Sequence, residues 1–133
     1  MRSPLRIVTT LIGVFFALQG VLWIVDPARA AAGLGMPLLD GLARSTQIGD
    51  LAAFFLTGGA TIIVGARPGR ARLLLVPAGM LAAAALVRTL AWALHGAEFA
   101  AAFIAIEVAV AALLLVAVRR LESMSTSGVL VRE

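Results

Sequence analysis

The 133-residue chain contains no cysteine, tyrosine, lysine or asparagine, and only one histidine, His95. Without a thiol there is no disulfide, no thiolate nucleophile, no cysteine zinc site and no iron–sulfur cluster. Without lysine there is no Schiff base. A single histidine excludes a multi-histidine metal site within one chain. No metal and no cofactor are expected on these grounds. Charge is also scarce. Only 14% of residues are charged, where a soluble domain averages about 25%.

What is present is apolar. The hydrophobic share is 62% and the mean hydropathy +1.05, against roughly 45–50% in an ordinary soluble domain. One small core cannot bury that excess, so a water-soluble domain is excluded, and a disordered chain with it. Four spans of about 20 residues need ~80 residues, which matches the apolar content. The expected fold is all-α, a four-helix transmembrane bundle making one domain over residues 1–120, with a short polar tail at 121–133.

The apolar runs place the spans at about 7–25, 46–66, 73–95 and 99–118. Eight arginines (Arg2, Arg6, Arg67, Arg70, Arg72, Arg119, Arg120 and Arg132) fall on one side of these runs. Arg29 and Arg44 alone fall on the other, balanced by Asp26, Asp40 and Glu98. This positive-inside bias predicts cytoplasmic termini and a bacterial inner-membrane location. The pI of 11.6 therefore reads as topology, not nucleic-acid binding. A cleaved signal peptide competes for the first run, with Ala28-Arg29-Ala30 as its cleavage site. Its uncharged stretch of 19 residues exceeds the roughly 7–15 of a signal h-region, which favours an uncleaved span.

Several packing features follow from the pattern. Ala101, Ala105, Ala109 and Ala112 make a small-residue seam on span four, and Gly58 and Gly65 lie above one another on span two; such seams let helices approach in lipid. The outer loop of roughly twenty residues, Asp26–Ser45, is long enough to carry function. Within it Ala28–Leu34 is expected to form a short interfacial helix stopped by Gly35-Met36-Pro37, and Ser45 to cap span two.

Three charges stand inside apolar runs: Asp50, Arg88 and Glu107. Each costs about 2.5–3.5 kcal/mol at a helix centre, so they are expected to face inward and pair. Helical rise puts Arg88 about 10 Å and Glu107 about 12 Å from the outer ends of their spans, with Gln19 about 9 Å deep. Gln47, Asp50, Phe54, Thr57 and Thr61 share a helical face, as do Arg88, Trp92 and His95. Phe15 and Trp23 flank Gln19, and Phe103 precedes Glu107 by one turn. The expectation is an outward-opening pocket with an acid–Arg–acid floor of Asp50, Arg88 and Glu107, lined by Gln19, Trp23, Gln47, Phe54, Trp92 and Phe103. One arginine between two carboxylates is short of positive charge, so either water enters or one carboxylate keeps its proton. The plain alternative is that Arg88 and Glu107 only lock two helices, with Trp23 and Trp92 in an interfacial belt.

The chain resembles a family of small four-span bacterial membrane proteins known only as a domain of unknown function. The resemblance rests on Asp26-Pro27 with its Ala-rich continuation to Gly35, on Ile48-Gly49-Asp50-Leu51, on the Arg88 segment, and on Ile106-Glu107 followed by Arg119-Arg120. It covers residues 5–120 and implies four spans without an activity.

The residue types favour acid–base chemistry on a small apolar substrate or lipid, such as epoxide hydrolysis, cyclisation or isomerisation. The group is similar in chemistry, not in fold, to the Asp-Arg-Asp centre of limonene-epoxide-type hydrolases. Glu107 and Asp50 would divide the acid and base roles while Arg88 orients both. Two alternatives stay open: a proton-coupled transporter acting through Glu107, and a non-catalytic accessory or ligand-binding subunit, either as a homo-oligomer or with a partner. Haem ligation by His95 and a Ser45–His95–Asp50 triad have less to support them.

Overall fold

In the computed structural model, residues 3–130 are described, with side chains to residue 124. Among these residues all regular structure is helical. The elements are α1 (Pro4–Val25), α2 (Pro27–Gly33), α3 (Gly41–Gly65), a 3-10 turn (Ala71–Leu74), α4 (Leu75–His95) and α5 (Ala101–Leu130). Four stretches, Pro4–Val25, Gly41–Gly65, Ala71–His95 and Ala101–Met124, are long and apolar enough to cross a membrane. Their most apolar windows are only 22–28% buried within the chain, and leucines as exposed as Leu11 (60%) and Leu94 (70%) cover the outside. A surface of that kind needs lipid or partner helices around it. This is a membrane protein by length and composition.

Local chemistry sets the helix ends. The Ser3 hydroxyl accepts from the Arg6 N–H at 3.3 Å, and Pro4 occupies the first turn, where its missing donor costs nothing. Asp26 ends α1 and its carboxylate accepts from Arg29 N–H at 3.1 Å, starting α2. Gly35, with φ of 71°, turns the chain out of α2. Gly96, at φ 64°, does the same after α4.

Two boundaries differ from expectation. Helix α3 begins at Gly41, so Ser45 lies inside it and caps nothing; Arg44 is held instead by Asp40, at 2.7 Å. Helix α5 runs on to Leu130, because Leu121 packs at 2% exposure into the core and Glu122 pairs with Arg72 at 2.7 Å. The backbone of 121–130 is therefore helix, not a loose tail; residues 131–133, with Arg132, and residues 1–2, with Arg2, lie outside the described residues.

Helix α1 packs along α3 and α4 along α5, giving two hairpins. The hairpins join through the 3-10 turn and through direct α1–α5 and α3–α4 contacts, in a shared core that runs from the end carrying the termini to the middle of the bundle. Phe16, Ile62, Leu74, Leu81, Leu114 and Leu121 build this core. At the opposite end a second cluster seals the first hairpin: Trp23, 1% exposed, sits among Ala30, Ala31 and Ala52, with Leu34, Met36 and Ile48 around it. Close backbone approach holds α1 to α3. A Cβ on Gly59 would lie 2.5 Å from the Ala17 nitrogen, and one on Gly20 would lie 2.6 Å from Leu56 Cγ. The alanine seam on α5 is different: Ala101, Ala105, Ala109 and Ala112 are all exposed, with Ala112 lining a shallow groove beside α4. On α3 the tight contacts are at Gly59 and Gly65, while Gly58 meets only Phe16 at an ordinary 3.5 Å.

Candidate functional site

The second hairpin positions an ion pair. Arg88 lies seven residues before the end of α4 and Glu107 six residues after the start of α5. These are about 10 Å and 9 Å along helices that run antiparallel, so the two side chains face each other. Arg88 Nε donates to Glu107 Oε1 at 2.8 Å. The guanidinium carbon stands 5.1 Å from the centre of the Phe103 ring, one turn before Glu107, a cation–π contact worth about 0.5–2 kcal/mol. Arg88 remains 39% exposed and Glu107 only 12%. Glu107 Oε2 is buried and has no hydrogen-bond partner among the described residues. The unit therefore presents guanidinium donors beside an unsatisfied carboxylate oxygen, in apolar surroundings.

Asp50 does not join this pair. It is exposed on α3 and has no ion-pair or hydrogen-bond partner among the described residues. Height is not the reason. Gly65 and Leu74 touch across the hairpins; Asp50 lies 15 residues outward of the first and Arg88 14 residues outward of the second, about 22 and 21 Å. The two residues belong to different hairpins, each of which packs more closely within itself than on the other. The expected shortage of positive charge around three converging groups thus does not arise: Arg88 and Glu107 balance one to one.

The expected lining residues scatter in the same way. Phe103 belongs to the ion-pair unit, and Trp92, half exposed one turn beyond Arg88, packs edge-on against Phe99 with ring centres 5.2 Å apart. Trp23 is the buried anchor of the first hairpin's sealed end, neither a pocket wall nor an interfacial belt residue. Gln19 lines a groove of about 660 Å³ between α1 and α2 with Arg29 and Gly33. Phe54, at the middle of α3, is partly buried against the main core.

Gln47 has a role that spacing did not show. Its Oε1 accepts from Leu39 N–H at 3.0 Å, and its Nε2 donates to Pro37 O at 3.0 Å and to Met36 Sδ at 3.0 Å. It is 8% exposed and clamps the 34–40 segment onto α3. The signal for it was the stretch just before α3, whose backbone groups at 37–39 have no helix or sheet to satisfy them. Ser45, Asp50 and His95 are all exposed and share no hydrogen bond among the described residues. No protein-family model, curated protein or solved structure matches this chain.

Proposed function

We propose that this is a multi-pass protein of the bacterial inner membrane, with cytoplasmic termini, that binds a small apolar molecule carrying one oxygen group. The ligand sits against Arg88 and Glu107 near the loop end of the second hairpin. The observation that carries this reading is Glu107 Oε2, buried and unpartnered beside a guanidinium that uses only its Nε toward the protein. A purely structural ion pair would close both oxygens, since a buried acceptor left unmet costs about 1–3 kcal/mol. A hydroxyl donating to Oε2, with its oxygen near the Arg88 Nη groups, satisfies both.

The same oxygen favours a second reading, acid–base catalysis on such a molecule. Glu107 would act as base and Arg88 would polarise the substrate oxygen. Asp50 is the second carboxylate that an epoxide-type mechanism needs, and it stands on the other hairpin, so this scheme requires the hairpins to close. Binding alone requires no motion and ranks first.

The test is extraction. Protein purified in mild detergent is compared with Arg88→Leu and Glu107→Gln variants by mass spectrometry of the organic extract. A small species enriched in the native protein and lost from both variants is expected. Equal extracts from all three would sink the binding reading. Turnover of a lipid-soluble epoxide that disappears with Asp50→Asn would raise the catalytic reading above it.

A further inference from the structure

At the terminal end, on the other hairpin, α1 and α3 part below their tight crossing at Gly13 and Gly59, as helices do away from a contact point. The gap is a cavity of about 500 Å³ lined by Arg6, Ile7, Thr10, Leu11, Arg67 and neighbours on α3. Two cations stand in its wall, and no carboxylate does. Arg72 at the same end is answered by Glu122 at 2.7 Å, but neither Arg6 nor Arg67 has an acidic partner among the described residues. Arg6 Nε is buried without any hydrogen-bond partner there. Thr10 donates its hydroxyl to Arg6 O at 2.8 Å. The remaining walls are aliphatic, and Ile7 (47% exposed) and Leu11 (60%) continue them onto the lipid-facing surface of α1.

We propose that this cavity holds the phosphate of an anionic phospholipid between Arg6 and Arg67, with an acyl chain lying along Ile7 and Leu11. Charge selects the phosphate: two guanidinium groups without a protein counter-ion attract an anion, and their forked donors match phosphate oxygens. The apolar path selects the lipid over free phosphate. A free anion would gain nothing from a site that opens along aliphatic side chains into the bilayer, whereas basic recesses between membrane helices are built for headgroups. The site lies on α1–α3 and is independent of the Arg88–Glu107 unit.

The experiment is native mass spectrometry of the full chain released from detergent micelles containing equal amounts of phosphatidylglycerol and phosphatidylcholine. The native protein is expected to retain phosphatidylglycerol preferentially. Arg6→Gln and Arg67→Gln should each reduce that preference about five-fold, the worth of one basic side chain at an anionic surface. Arg119→Gln with Arg120→Gln, which lowers net charge at the same end without touching the cavity, should leave it intact. Equal loss in this control would overturn the proposal, because any surface arginine would then suffice. Displacement of the bound lipid by millimolar inorganic phosphate would overturn it as well, by making the site one for the free anion. Arg67 is exposed, so Arg67→Gln keeps the test open even if Arg6→Gln fails to fold.

Discussion

A polar side chain inside an apolar helix must find partners, and in this chain such residues find them in different ways. Gln47 turns to backbone, satisfying Leu39 N–H and Pro37 C=O beside α3. Gln47→Leu keeps the apolar volume but strands both groups, at about 1–3 kcal/mol each where they are buried. The 34–40 segment should then be cut by protease faster than in the native protein, while Thr46→Val, on an exposed hydroxyl that bonds only Leu42 O, should not change the rate. Arg88 and Glu107 turn to each other, and this pair was legible from depth and phase together. Asp50 has the same signature in the sequence and stays apart. Its helix phase and height were readable, but which hairpin it would belong to was not.

At the scale of elements, glycine decides which helices touch. Gly13, Gly20 and Gly59 let α1 and α3 approach until backbone meets side chain or backbone. Gly59→Ala places a methyl 2.5 Å from Ala17 N and 2.7 Å from Gly13 O, neither of which can swing aside. An overpacking loss of about 1–3 kcal/mol is expected in detergent unfolding titrations. Gly58→Ala, one residue away, meets only Phe16 at 3.5 Å and should be neutral or stabilising by up to about 1 kcal/mol through helix propensity. Equal effects at the two sites would mean that α1 and α3 are not in contact at Gly59. The alanines of α5 carry an equally regular spacing and yet stay exposed. Small-residue spacing marks a helix able to pack closely, but it does not name the partner.

Across the whole molecule, the two hairpins meet at the end bearing the termini, where Leu5 and Leu121 share one core. Leu5 and Leu121 therefore lie at one end of the bundle. The proposal that this end is cytoplasmic rests on the arginine distribution, and the absence of cysteine makes it simple to test. A thiol at Leu42→Cys, on a side chain 84% exposed near the opposite end, should react with a membrane-impermeant maleimide in intact cells. One at Ser123→Cys should react only after the membrane is opened. The reverse pattern would invert the orientation.

Composition and periodicity alone determined that the chain is helical, that four stretches can cross a membrane, and that Arg88 and Glu107 lie at matching depths on consecutive helices. Those properties depend on hydrophobic run length and on the 1.5 Å rise of a helix, both local. Consecutive helices joined by the short segment 96–100 must pack antiparallel, so their pair followed as well. Only the tertiary structure decided that each hairpin packs more within itself than on the other, that Trp23 is core and Trp92 surface, and that Asp50 forms no ion pair with the arginine it matches in height. In lipid the apolar effect does not choose between one helix neighbour and another; contacts such as Gly59 on Ala17 make that choice, and they exist only once two distant segments have met.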